Sequence, residues 1–233
     1  MKKIKAKLNA GFSLIELMVV ISIFTIITSV VLYNQGKFSS DIVITNLAYE
    51  IALEIRQAQT YGIAVRGATI GSDPTLFFKQ AYGVHFGGDV PTDTGGTKGY
   101  NGNTAFVLFA DTGGLTNGEN SSNSYYDNGL FDDGETVDIF RLPGGNSIVD
   151  YCYGDPTLSQ QVCHKSTTNP LSSMDITFTR PKPDANFRVN HQPDPVAGPA
   201  TITVESSLGD KCKQVIVEST GQISVNPENV PCP

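Results

Sequence analysis

The stretch GFSLIELMVVISIFTIITSVVLY, Gly11 to Tyr33, decides how the rest of the chain is read. From Phe12 to Tyr33 its only charge is Glu16. As a helix rising 1.5 Å per residue, the run is about 33 Å long, enough to cross a hydrocarbon core. A carboxylate at the centre of such a span costs roughly 2.5–3.5 kcal/mol even on lenient insertion scales, so Glu16 demands a reason. A cleaved secretory signal fits the basic start, but the apolar run is long for one and no A-x-A-like site closes it. A plain signal anchor, oriented by the positive-inside rule, accounts for the length and the flank but not for the acid. Snorkelling to the headgroups is open to an acid so near one end of the span.

The preceding residues, MKKIKAKLNAG, carry Lys2, Lys3, Lys5 and Lys7 and no acid. The whole chain has 233 residues and a formal charge of −7, and without those four lysines the side-chain charge becomes −11. An acidic body argues against a nucleic-acid partner, because the phosphate backbone demands clustered Lys and Arg. It suits a divalent cation. The composition, 17% charged and 39% hydrophobic, fits one globular domain with an added segment.

The basic leader, Gly11, the aromatic Phe12 and Glu16 at the fifth position after that glycine resemble the N-terminal signal of the type IV pilin superfamily, which includes the pseudopilins of type II secretion. The resemblance implies cleavage by prepilin peptidase between Gly11 and Phe12 on the cytoplasmic side, then N-methylation of Phe12. It also gives Glu16 a task. The new α-amine of Phe12 is a cation, and in a fibre it would pair with Glu16 of a neighbouring subunit, fixing the axial step between them. Removing one partner of a buried pair costs several kcal/mol, which suits a register device. Many major pilins carry a proline along this helix; none lies between Phe12 and Tyr33 here. The first expected break is therefore Asn34-Gln35-Gly36, since glycine weakens a helix by about 1 kcal/mol.

Ser39, Ser40 and Asp41 are suitable caps for a restarted helix. Beyond them, Ile44, Leu47, Ala48, Ile51, Ile55 and Ala58 recur at three- and four-residue steps, an apolar stripe for a sheet to cover. Gly62 is the expected end. Past it the grammar changes to short β-rich runs separated by Gly, Pro, Asn and Asp. Strands are expected near Ile63–Ile70, Leu76–Phe78, Tyr82–Phe86, Ala105–Phe109, Val137–Leu142, Ile148–Cys152, Met174–Phe178, Phe187–Val189, Ala200–Val204, Gln214–Glu218 and Gln222–Val225. A helix followed only by strands predicts an α+β fold, a long N-terminal helix packed on an antiparallel β-rich globular domain. The segments are then a leader over 1–11, a transmembrane or fibre-core helix over 12–35, an amphipathic helix over 36–62 and the globular domain over 63–233. LEIRQAQTYGIAVRG, YGVHF and VIVESTGQISV resemble the helix end, next strand and closing hairpin of H-type pseudopilins and FimT-like minor pilins.

The four cysteines, Cys152, Cys163, Cys212 and Cys232, suit disulfides in an oxidising compartment. Three pairings exist, and proximity favours Cys152–Cys163 with Cys212–Cys232. The residues Asp111 to Glu135 form the most acidic loop. Its last twelve, SYYDNGLFDDGE, follow the EF-hand rhythm with glycine sixth and glutamate twelfth. Asn128, the Leu130 carbonyl, Asp132 and Glu135 would be Ca²⁺ ligands. Ser124 and Tyr126 break the pattern, and Asp111 could replace the missing first ligand, with Asp127 spare. The competing reading is a solvated acidic turn.

No nucleophile elbow, Walker loop or dinucleotide fingerprint occurs. His85, His164 and His191 lie far apart among polar residues, as surface or strand positions would. The Pro-rich segment containing Arg180, Lys182 and Arg188 is locally basic, but against an acidic whole. The chain is thus expected to be a non-enzymatic minor pilin or pseudopilin needing no cofactor. It would sit in the bacterial inner membrane with a cytoplasmic N-terminus, then enter a periplasmic or extracellular fibre. Its partners would be other subunits, prepilin peptidase and an inner-membrane assembly platform. The alternatives are a major pilin and a membrane-anchored adhesin or hydrolase.

Overall fold

The computed structural model describes residues 11–64, 66–69, 76–77, 80–90, 100–112, 128–132, 134–154 and 161–233. It divides into two compact units, Met1–Ser39 and Ser40–Pro233. Helix α1, Leu14–Ile63, contributes its first part to one and its second part to the other.

In the first unit, Leu14–Tyr33 is long and apolar enough to cross a membrane, and its side chains are exposed. Three of its hydroxyls turn back on the helix itself. Ser22 donates to the Val19 carbonyl at 2.8 Å, Thr28 to the Phe24 carbonyl at 2.8 Å, and Thr25 to the Ile21 carbonyl. Polar groups satisfied in this way tolerate hydrocarbon. The break expected at Asn34-Gln35-Gly36 does not occur, because α1 is continuous through it. One glycine costs about 1 kcal/mol, less than ending a helix and nucleating another. Ser40 and Asp41 are likewise helical rather than caps. The Ser40 hydroxyl donates to Asp210, and an Asp41 carboxylate oxygen accepts from Asn229.

In the second unit, the helix stripe read from the sequence is the buried one: Ile44, Leu47, Ala48, Ile51, Ile55 and Ala58 all lie in the core. The strands follow in order: β1 (Ala68–Thr69), β2 (Leu76–Phe77), β3 (Ala81–Gly87), β4 (Asp89–Val90), β5 (Tyr100–Asn101), β6 (Ala105–Asp111) and β7 (Thr136–Arg141). After them come β8 (Ser147–Tyr153), β9 (Val162–Cys163), β10 (Ser173–Phe178), β11 (Ala185–Val189), β12 (Ala200–Glu205), β13 (Cys212–Val217) and β14 (Ile223–Val225). One five-stranded sheet runs β11-β10-β3-β6-β7 and the other β14-β13-β12-β8-β9, both antiparallel throughout. The fold is α+β. Val84, Phe86, Ile176 and Phe178 of the first sheet and Ile148, Ile202 and Val215 of the second share one core with the helix stripe.

Gly62 is the last residue but one of the helix, which ends at Ile63, one residue past the expected end. A Cβ there would sit 2.3 Å from the Phe178 carbonyl oxygen, so glycine allows the helix to reach β10. One turn earlier, Gln59 donates to the carbonyls of Pro183 at 3.0 Å and Gly221 at 2.8 Å. The strand expected from Ile63 is reduced to β1, since Ile63 still belongs to α1.

Two disulfides brace the second sheet. Cys152–Cys163 joins directly opposed residues of β8 and β9 with Cα atoms 4.0 Å apart. Cys212–Cys232 ties the C-terminal segment to β13, helped by the Val230 N–H on the Cys212 carbonyl.

Candidate functional site

At the N-terminus, Gly11, Phe12 and Ser13 are non-helical and exposed, with Phe12 at 86%. The Gly11–Phe12 bond thus lies in accessible chain ahead of α1, where proteases find their substrates. Glu16 is the third residue of the helix, and its N–H donates to the Ser13 hydroxyl at 3.3 Å. Ser13-x-x-Glu16 is the pattern of a capping box, a signal present in the sequence but missed there. An acid in the first turn also opposes the helix dipole favourably. Glu16 therefore has a local role besides any intersubunit one.

The acidic turn is a second cluster. The structure brings Asp111, Asn128, Leu130, Asp132 and Glu135 together, while Ser124, Tyr126 and Asp127 lie outside the described residues. Asp111, at the end of β6, accepts from the N–H groups of Asn128 at 3.3 Å and Gly129 at 2.5 Å. The Asn128 side chain donates to Asp132 at 2.8 Å and accepts from the Leu130 N–H at 2.8 Å. Glu135 accepts from the Thr112 N–H at 2.7 Å, the Thr112 hydroxyl at 2.9 Å and the Asp132 N–H at 3.0 Å. Asp111 and Glu135 are buried, so their carboxylates clip the two ends of the turn. Gly129 takes φ +71°, and a Cβ there would overlap the Arg188 guanidinium.

This turn carries Leu130, which is buried, and Phe131, whose ring lies 4.9 Å from that of His85 and 5.5 Å from that of Phe109. The outer face of the first sheet is therefore covered too, which is why β3 and β6 are buried along their whole length. His85 is a strand residue of β3, one of the two settings expected of it, and it is buried. Its Nδ1 lies 2.7 Å from Asp175 on the opposed position of β10, and its Nε2 is 3.1 Å from the Gly87 carbonyl. His164 contacts the Leu171 carbonyl and stacks on Tyr151, and exposed His191 lies 3.6 Å from Asp132. The three histidines form no common site. Burial pushes the Tyr151 hydroxyl well above its ordinary range, and the hydroxyl donates to the Ser172 carbonyl.

Among the described residues, the two clusters with metal-ligand spacing, Asp150–Cys152–Cys163 and Glu205–Cys212–Cys232, both contain disulfide sulfurs. Thiolate ligation is closed to them while those bonds stand.

Residues 6–32 match the prokaryotic N-terminal methylation motif, a span that contains Gly11, Phe12, Ser13 and Glu16. No curated protein and no solved structure matches the chain. The N-terminus is thus of the type IV pilin kind, which indicates a structural subunit processed by prepilin peptidase and assembled with other subunits. An apolar helix behind such a motif fits membrane anchoring followed by assembly.

Proposed function

We propose that the chain is a minor pilin or pseudopilin of a type IV pilus or type II secretion system, cut between Gly11 and Phe12 and assembled through α1. The observation that carries this is the methylation motif over residues 6–32 leading into an apolar helix whose single charge is Glu16. Assembly exchanges lipid contacts along Leu14–Tyr33 for helix–helix contacts. The α-amine of Phe12 on one subunit and Glu16 on the next would then neutralise each other where water is absent. The β-rich unit supplies surfaces for partners. Its resemblance to H-type pseudopilins supports the minor role.

The position of Glu16 in the first helical turn dictates the test. Glu16→Gln keeps a side chain that serves at the third helical position but removes the charge. With Glu16→Gln, membrane insertion and cleavage at Gly11 should proceed while recovery in sheared fibres fails. Normal recovery would refute the register role.

For the acidic turn, we propose a Ca²⁺ site formed by Asp111, Asn128, the Leu130 carbonyl, Asp132 and Glu135. The EF-hand rhythm of the sequence, glycine sixth and glutamate twelfth, supports it, and an ion would have to draw the carboxylates away from the N–H groups they accept from. Saturating Ca²⁺ should raise the melting temperature of the chelated full chain in detergent, as a ligand of the native state does. An unchanged melt would leave a self-satisfied acidic turn.

A further inference from the structure

A peptidase cuts a bond only while that bond is held open, because a helix ties up each carbonyl and winds the backbone away from an active site. Where α1 begins therefore bears on the Gly11–Phe12 bond. The sequence offers two residues suited to capping its start, Asn9 and Ser13, about one helical turn apart. A helix capped by Asn9 would take in Ala10, Gly11 and Phe12 and so enclose the bond. A helix capped by Ser13 leaves the bond outside. The chain takes the second start. Gly11, Phe12 and Ser13 are non-helical, and the Ser13 hydroxyl accepts from the Glu16 N–H at 3.3 Å. The Ser13 carbonyl accepts from the Leu17 N–H at 3.2 Å, as the carbonyl of a capping residue does. Phe12 is 86% exposed, and a Cβ on Gly11 would meet no described atom within 4 Å beyond its chain neighbours.

We propose that Ser13 is a positioning residue for processing: by capping α1 it holds the Gly11–Phe12 bond in the extended chain that prepilin peptidase hydrolyses. The inference rests on the cleavage reading above and names what keeps this bond accessible. In the cut, water gives its hydroxyl to the Gly11 carbonyl carbon and a proton to the Phe12 nitrogen. The C–N bond breaks, leaving a carboxylate on the leader and the α-amine on Phe12. The first N–H groups of a helix need acceptors, the more so at the edge of an apolar span. With the Ser13 hydroxyl gone, the nearest upstream side chain suited to accept them is that of Asn9, and a helix started there closes over the bond. The open form is then only part of the population, and the apparent affinity of the peptidase falls in proportion. Ser13 thus acts through the helix start rather than on the reacting atoms.

The test is cleavage of the full chain in detergent by purified prepilin peptidase, with kcat and KM measured separately. Ser13→Ala should raise KM about fivefold and leave kcat unchanged, the size expected from loss of one cap. Ser13→Asn and Ser13→Thr keep an acceptor and should hold the wild-type KM. Adding Asn9→Ala to Ser13→Ala removes the upstream start and should bring KM back. A Ser13→Ala chain cut with the wild-type KM would overturn the inference and leave the cleavage reading intact. So would a Ser13→Asn chain as slow as Ser13→Ala, because the peptidase would then be reading the serine itself. A fall in kcat alone, or no recovery in the double variant, would also overturn it. A wild-type chain left uncut at Gly11 would remove both readings.

Discussion

The two parts of α1 are the same secondary structure in opposite circumstances. Along Leu14–Tyr33 the large apolar side chains are exposed, whereas from Ser40 onward four large ones and two alanines disappear into a core made with both sheets. Helical hydrogen bonding is common to both, so it cannot account for the difference. The second part has its covering surface in its own chain, and the first must find one in lipid or in other subunits. Apolar area left in water costs about 25 cal/mol per Å², which fits membrane anchoring followed by assembly for the first part.

The sharpest way to break this comparison is one substitution made in both parts. Ile55→Ala empties a fully buried position and should cost about 2–5 kcal/mol, seen as a lower melting temperature of the full chain in detergent. Ile23→Ala, at an exposed position, should leave that melt unchanged. Equal effects would mean that the first part also packs on its own chain.

Next in size is the C-terminal tie. Replacing Cys212 and Cys232 by Ser should remove about 2–4 kcal/mol, read from chemical denaturation. Asp111→Ala should cost about 1–3 kcal/mol by stranding the N–H groups of Asn128 and Gly129. Amide exchange at residues 128–132 should quicken more than in β10, because the clip holds the turn and not the sheet.

The smallest effect concerns pH. Burial and the charges of Asp138 and Glu50 raise the Glu54 pKa above its ordinary 4.5. The fold therefore favours the protonated form, and this contribution is present at low pH and lost as pH rises through the raised value. Glu54→Gln should match the wild type near pH 4 and be slightly more stable near neutrality in unassembled protein, read from chemical denaturation at the two pH values. Asp210 has the opposite sign: hydrogen bonds from Ser206 and Ser40 lower its pKa, so its support is present at neutral pH and lost on acidification.

The helix stripe and most strands were legible because each depends on local periodicity: 3.6 for Ile44 to Ala58, and two for β10 and β12. The short strands β4, β5 and β9 were not, since two residues carry no period and exist only through their partners. The helix end was legible to within one residue at Gly62, but the reason for the glycine was not, because it is the close approach of Phe178 that demands it. Whether His85, a strand residue as expected, would be buried or exposed was not legible for a related reason. Its burial depends on Asp175, ninety residues away, and on Phe131 folding over the sheet, and neither leaves a mark near His85. At the N-terminus the motif was readable in full, because peptidase recognition acts on contiguous residues. The serine cap of Glu16 was equally local and was overlooked beside the stronger charge argument.

The central claim is that Glu16 lies in an apolar span because a freed amine will meet it. Intact-mass and N-terminal peptide analysis of the chain recovered from its native membrane tests this most directly. The mature polypeptide should begin at Phe12 and carry one methyl group on its α-nitrogen. A polypeptide that still begins with the lysine-rich leader would contradict the account.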